Sequence, residues 1–353
     1  MKQSASTVQR IHETIDSILP EIIEFRHSIH REPEIGLKEY KTAEKIRNRL
    51  RGTGMAVSPP LIETDTVGVL YGTEKEGKNI TLRADIDALP MTEKSGREWQ
   101  SGHDGMSHSC GHDGHTAMLL GTALVLSELK DLLRGSVRFV FQPAEEATGG
   151  GKMMVEKGLL DAPPYPDATF AFHAWPGMPV GTVAGSMGAT MAAVDRFTIT
   201  VTGKGGHGAR PHQTIDPIIT SAQVLEGLQH IVSRSVDPME AAVISVCMIH
   251  GGEADNVIPD EVVLKGTTRY FNPNLADFIS SRIQQTVESI CSAAGAKGSV
   301  DYRRFYIPTI NDTAMVEFAR TVVGEYLGED RWYESAPPSM GGEDFSYYLE
   351  KVP

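Results

Sequence analysis

Apolar residues recur at helical spacing through residues 7–30, where Ile11, Ile15, Ile18, Ile22, Phe25 and Ile29 form one stripe. The spacing predicts one long helix, or two short ones meeting at Pro20, because proline suits a first helical turn and kinks an interior. Three short apolar runs follow, at 79–82, 137–141 and 168–172, each with the continuous pattern of a strand buried on both faces. Between the first two, residues 116–133 are apolar with a helical period. Strands alternating with helices predict an α/β fold with a mostly parallel central sheet. From about Asp195 the grammar changes to strand 197–201, helix 216–233, strands 242–250 and 261–270, helix 276–294 and strand 298–305. That βαββαβ order is a complete two-layer α+β unit. Residues 308–353 then return to helix-like, turn-rich sequence. The chain therefore reads as an α/β domain of residues 1–190 and 307–353, interrupted by an α+β domain of residues 191–306.

Composition narrows the partners. Lys+Arg 33 against Asp+Glu 46 gives a formal net charge of −13, and no basic patch offsets it, so nucleic acid and anionic membrane surfaces are excluded as partners. The longest apolar stretch, 117–126, is well short of the ~18–20 residues needed to cross a bilayer. The first ten residues are polar and lack the apolar run of a signal peptide. Cys110, Cys247 and Cys291 are too few and too scattered for a disulfide framework, which predicts reduced thiols and a cytoplasmic location.

Each of the three strand-like runs ends in residues able to do chemistry. Arg83, Asp85 and Asp87 follow the first, Glu145 and Glu146 the second, and His173 the third. In open α/β sheets, ligands gather beyond the carboxyl ends of the strands, where these clusters fall. The densest cluster is residues 108–115 (HSCGHDGH). In an extended loop Cys110 and His112 project to the same side and can share one transition-metal ion. The structural alternative is a polar turn feeding the next helix, with Asp113 as its cap. Adjacent Glu145 and Glu146 allow one carboxylate to bind metal and the other to take a proton from water, whose pKa a divalent ion lowers from about 15.7 towards ~7. A Glu-Glu pair is commonly just a solvated loop, but its place after residues 139–141 favours a site. Asp85 and Asp87 either orient a ligand histidine or pair with Arg83. One or two ions cannot use every nearby imidazole, so His103, His108 and His115 are not all ligands.

Residues 203–208 (GKGGHG) match G-x-G-x-x-G, but the context of a dinucleotide site is missing. Pro211 stands where a helix should open, and the position about twenty residues on, near Glu226, lies inside a predicted helix. The glycines better serve to present His207 and backbone N–H groups to an anion or a developing oxyanion, with a tight hairpin as the structural alternative. Arg269 can bind a carboxylate with two parallel hydrogen bonds, and Asn256 can bind a carboxylate or oxyanion through its amide. Either residue can equally be structural, Asn256 in a turn and Arg269 across strands.

Taken in order, residues 83–93 (RADIDALPMTE), 107–117 (SHSCGHDGHTA), 141–146 (FQPAEE), 172–176 (FHAWP), 203–211 (GKGGHGARP), 256–260 (NVIPD) and 342–345 (GEDF) give the chain its resemblance. It resembles the amidohydrolase branch of the dinuclear-metal aminoacylase and carboxypeptidase family, which includes hippurate hydrolases, bacterial N-acyl-amino-acid deacylases and plant auxin-conjugate hydrolases. The resemblance implies a peptidase-like catalytic domain and a lid and dimerisation domain. It implies two divalent ions, held by Cys110, His112, Glu146 and His173 with the Cys110 thiolate bridging. Zinc suits the thiolate, while manganese, cobalt and nickel suit the other donors. It further implies Glu145 as general base and later proton donor, with Asp87 supporting a ligand from behind. His207 would reach across a homodimer to the oxyanion, and Asn256 and Arg269 would hold the substrate carboxylate or help at that oxyanion. The implied reaction is hydrolysis of the amide bond of N-acyl-amino acids. A dipeptidase or carboxypeptidase using the same site, and a non-catalytic metal-binding scaffold, are the alternatives. Members of the family continue beyond the GEDF segment to a further strand and a last metal-binding histidine, whereas here Pro353 follows Phe345 by eight residues. Either the chain is a fragment of a longer protein, which the apolar residues 347–349 favour because the strand they should introduce is missing, or it is natively short with an incomplete second metal site.

Overall fold

The computed structural model describes residues 5–146, 148–333 and 337–353. The chain divides into two compact units, Met1–Thr182 with Tyr347–Pro353, and Val183–Ser346. Unit 1 contains α1 (Ala5–His30), α2 (Tyr40–Leu50), β1 (Ala56–Val57), β2 (Thr66–Tyr71), β3 (Glu74–Asp85), α3 (His112–Glu128), β4 (Arg134–Gln142), α4 (Gly150–Glu156) and β5 (Ala168–Ala171). Its sheet has the order β1-β2-β4-β3-β5. β3 runs parallel to both β4 and β5, so the three strands that end in polar clusters share a direction. On the other side β2 is antiparallel to β4, and β1 to β2, which makes the sheet mixed.

The apolar patterns explain the packing. Phe139, Phe141, Leu120, Ala123 and Ile86 are buried in one cluster, against which Ile18, Ile22 and Phe25 of α1 pack. α1 is a single helix with Pro20 inside it. Its stripe is not uniformly buried, since Ile29 is enclosed while Ile15 is exposed. α3 begins at His112, four residues before the apolar period would start it. The cause is Gly111, which takes a left-handed φ of 90° that a residue with a Cβ rarely adopts, turning the chain directly into the helix. Asp113 is consequently inside the first turn and does not cap it. Its Oδ2 accepts hydrogen bonds from Arg26 Nε at 2.8 Å and His30 Nδ1 at 2.9 Å.

Unit 2 contains β6 (Gly188–Met191), β7 (Ala193–Thr202), β8 (Gly206–His207), α5 (Pro217–His230), β9 (Ala242–His250), β10 (Val257–Ile258), β11 (Glu261–Tyr270), α6 (Leu275–Ala293), β12 (Lys297–Tyr306) and β13 (Thr309–Asn311). Its four-stranded sheet is antiparallel in the order β12-β7-β11-β9. Asp216 caps α5 by accepting from Ile218 N at 2.8 Å, as a βα junction with an acidic residue before proline favours. Ile279, Ile283, Val287 and Cys291 make a fully buried i, i+4 stripe on α6 that packs with Phe197, Ile199 and Val201 of β7. Residues 307–346, which the sequence pattern groups with the larger domain, fall in unit 2 because their backbone pairs there. β13 pairs with β6, Val183 bridges Trp332, and Met191 bridges Ser339. The chain rejoins unit 1 at Tyr347, where Tyr348 is fully buried and Pro353 O accepts from Thr169 N at 2.7 Å. Among the described residues no helix is long and apolar enough to cross a membrane.

Candidate metal centre

Parallel register brings the ends of three strands of unit 1 side by side. Asp85 of β3 pairs with Gln142 of β4, and Arg83 with Ala171 of β5. Just beyond lie Asp87, the Glu145-Glu146 pair and His173, while the start of α3 brings in His112 and the preceding loop Cys110. Ligand atoms of Cys110, His112 and His173 lie within 4.8 Å of one another, as do those of His112, Glu145 and Glu146. His112 belongs to both groups. Cys110 Sγ is 3.5 Å from His173 Nε2, and His112 Nε2 is 3.9 Å from Glu146 Oε1.

Two aspartates hold this arrangement. His112 Nδ1 donates towards Asp87, 3.0 Å from its backbone oxygen and 3.2 Å from Oδ1. Because a carbonyl only accepts, Nδ1 carries a proton, and Nε2 is the nitrogen turned towards Glu146. The other oxygen of Asp87 accepts from the backbone N–H of Glu146 at 3.0 Å, so one carboxylate positions two candidate ligands. Asp85 accepts from Arg83 Nη1 at 2.8 Å and from His115 Nδ1 at 2.6 Å. His115 Nε2 in turn accepts from Ala174 N at 2.8 Å. Both nitrogens of His115 are therefore committed, and the ring ties the residue after His173 to α3 instead of ligating. The two readings left open for Asp85 and Asp87 divide between them: Asp85 pairs with Arg83 and orients His115, and Asp87 orients His112.

A divalent cation fits the donors that remain. His112 Nε2 and Glu146 Oε1 are buried without hydrogen-bond partners, a costly condition unless something outside the chain satisfies them. Their immediate company is a thiol and a further imidazole, a mixed N, O and S set suited to a transition-metal ion. Burial opposes charge on His112, but the carboxylates of Asp85 and Asp87 outweigh it and hold the imidazole well above its usual range. Asp85 is held well below its usual range despite burial, by His112, Arg83 and His115. Burial pushes the Cys110 thiol and the Glu146 carboxyl up. Binding of a cation by these groups is coupled to the release of the protons they carry.

Residues 81–353 match the sequence profile of Peptidase family M20/M25/M40. The chain belongs to this family. An M20-family structure from Bacillus subtilis, described as a dinuclear metal binding peptidase, superposes with a TM-score of 0.82 at 34% identity, covering 96% of this chain and 87% of that one. The chain is also 40% identical over 339 residues to the N-acetyl-L-cysteine deacetylase of Bacillus subtilis (strain 168), spanning 96% of this chain and 80% of the relative. It is 39% identical over 350 residues to thermostable carboxypeptidase 2 of Saccharolobus solfataricus, spanning 98% and 87%.

The remaining sequence-predicted residues of this M20 chain are in unit 2. His207 on β8 pairs across to Val257 of β10, and Gly208 N donates to Asn256 O at 2.8 Å, so His207 and Asn256 share one small ribbon. After the glycines comes a single 3-10 turn, Pro211–Gln213, and not the helix a dinucleotide site requires. Arg269 lies on β11 in a different sheet. Its guanidinium donates to Met340 O at 3.1 Å, to Thr268 O at 2.9 Å and to Thr267 Oγ1. In unit 1, His108 is buried and kept neutral, pushed down to about 4 chiefly by desolvation. His103 and His108 belong to none of the groups able to hold a metal.

The pattern of the sequence did not single out Glu39, a fully buried carboxylate that accepts from Ala144 N and from Thr64 Oγ1, each at 2.9 Å. A glutamate just before a helix looks like an ordinary cap, so only the folded chain distinguishes it. Removing the carboxylate behind His112, as Asp87→Ala, should weaken metal binding about 10–100-fold in a chelator-competition titration; an unchanged affinity would contradict its orienting role. Burial, together with the charge of Asp87, pushes Glu39 from 4.5 up to about 7. A carboxyl with a raised folded pKa binds its proton more tightly in the native state, so its stability contribution is complete at low pH and fades as pH rises through about 4.5 to 7. Glu39→Gln should therefore lose less unfolding free energy than wild type between those pH values, measured by urea titration in chelator; parallel pH profiles would remove Glu39 as the source.

Proposed function

We propose that this M20-family chain is a metal-dependent amidohydrolase that cleaves the amide bond of N-acyl-amino acids. The observation that carries this reading is the pair His112 Nε2 and Glu146 Oε1, both buried without a hydrogen-bond partner beside Cys110, His173 and Glu145 at the carboxyl ends of the strands. Cys110, His112, Glu146 and His173 hold two divalent ions, a number supported by the dinuclear B. subtilis relative. When bound, the ions acidify water and polarise the substrate carbonyl.

Glu145 supplies what the ligands cannot. It is buried, adjoins the candidate ligand Glu146, and its carboxylate is in the same compact group as His112. It takes a proton from the attacking water and returns it to the departing nitrogen, and the proton left on the new acid passes to the amine, so that water and amide become a carboxylate and an ammonium. Asp87 keeps His112 and Glu146 aimed, and Asp85 acts through His115 on the segment that carries His173. His207 stabilises the developing oxyanion, and Asn256 and Arg269 bind the substrate's carboxylate. Residues 191–306 serve as a lid and as the contact of a homodimer, a role supported by the exposed Met248 and Ile249 on the edge strand β9. The three unpaired cysteines support a cytoplasmic location. A carboxypeptidase or dipeptidase acting through the same residues is the second reading, favoured by the similarity to the S. solfataricus enzyme.

The test is a panel of N-acetyl, N-benzoyl and indole-acyl amino acids with dipeptides, assayed after chelation and re-addition of zinc, manganese, cobalt or nickel. Turnover should vanish on chelation and return with metal. Glu145→Gln should keep its metal, measured by elemental analysis, and lose about 10²–10⁴-fold in kcat. Wild-type turnover by that variant would sink the mechanism, and hydrolysis of dipeptides alone would replace the substrate class.

A further inference from the structure

Glu39 occupies the N-cap position of α2, yet its side chain makes no capping hydrogen bond. Glu34 does that work instead, its carboxylate accepting from Thr42 N at 2.8 Å, from Thr42 Oγ1 at 2.9 Å and from Lys41 N at 3.2 Å. Glu39 is thereby released to turn inward, where its two oxygens meet Ala144 N and Thr64 Oγ1.

Ala144 stands immediately before Glu145 and has a φ of +58°, a left-handed conformation that a residue with a Cβ rarely adopts. Three further contacts fix that turn. Ala144 O accepts from Gly150 N at 3.0 Å. A Cβ on Gly150 would lie 1.8 Å from Pro143 O, so the loop closes only around glycine. A Cβ on Gly36 would stand 3.1 Å from Ala144. Glu145 is thus bracketed by two buried carboxylates, Glu39 on the N–H of the residue before it and Asp87 on the N–H of the residue after it.

We infer that Glu39 is a positioning residue for Glu145, holding Ala144 in the left-handed turn that aims the proton-carrying carboxylate. The inference rests on the proposed role of Glu145. A buried carboxylate is expensive to keep, as the upward push on Glu39 shows, and a strained backbone persists only where its surroundings over-determine it. Both expenses fall on the one peptide link that leads into Glu145.

The experiment compares Glu39→Ala, Glu39→Gln and Glu145→Gln as metal-loaded proteins, using the N-acetyl amino acid that wild type turns over best. Glu39→Ala should lower kcat at least about tenfold at near-constant KM, because small misplacements of a reacting group are costly in rate. It should also speed amide exchange at Ala144 and Glu145 with the strands β3 and β4 unaffected. Glu39→Gln should recover most of kcat, since its amide oxygen can accept from Ala144 N while its amide nitrogen donates to Thr64. If the alanine variant does not fold, Glu39→Asp is read the same way, its shorter carboxylate falling short of Ala144. A kcat within twofold of wild type, a loss that only follows the folded fraction, or a glutamine variant no better than alanine overturns the inference. Should Glu145→Gln remain fully active, the role of Glu145 fails first; should it be inactive while Glu39→Ala is normal, only the role of Glu39 fails.

Discussion

Two runs of parallel backbone hydrogen bonds, from β3 to β4 and from β3 to β5, decide where everything else in unit 1 must go. Side chains alternate along a strand, so a slip of one residue in either pairing would turn the polar ends away from one another. With Arg83 locked between Val140 and Ala171, the residues just past the strands have little freedom to separate. Asp87, Glu145, Glu146 and His173 meet because their strands do. The start of α3 then has only to bring Cys110 and His112 into the same place, and the left-handed Gly111 does so in one step.

The convergence itself could be read from the chain. Each of the three strands announces itself as an apolar run, and each run stops at residues too polar to be buried without purpose. The donor types also identify themselves, because a thiol, imidazoles and carboxylates at strand ends suit a cation better than they suit a core. Backbone detail was the part out of reach. Nothing in an alternation of Cys and His reveals that Gly111 is left-handed, so the extended-loop picture of Cys110 and His112 gave the right neighbours by the wrong geometry. Residues 307–346 were similarly misleading, since β13 is three residues long and its pairing with β6 leaves no periodicity to detect. Glu39 was invisible for another reason: its meaning depends on Glu34 having taken the capping position that the sequence gives to Glu39.

Asp85 and Asp87 show how much two similar residues can differ in duty. They are two positions apart and equally buried, yet one fixes a histidine with both nitrogens engaged, and the other fixes a histidine with one nitrogen left over. That difference, and not the residue type, separates His115 from His112.

The excursion of the chain through unit 2 sets the order of events during synthesis. Unit 1 is interrupted after Thr182 and resumes only at Tyr347, with Tyr348 fully buried and Pro353 O hydrogen-bonded beside β5. A ribosome adding ~5–20 residues per second needs on the order of ten to thirty seconds to pass through residues 183–346. For that interval the nascent amino-terminal half has an open seat for Tyr348 and an unmatched edge at Thr169, while the inserted sheet is already free to fold. Vectorial production therefore favours completing the insert before the host.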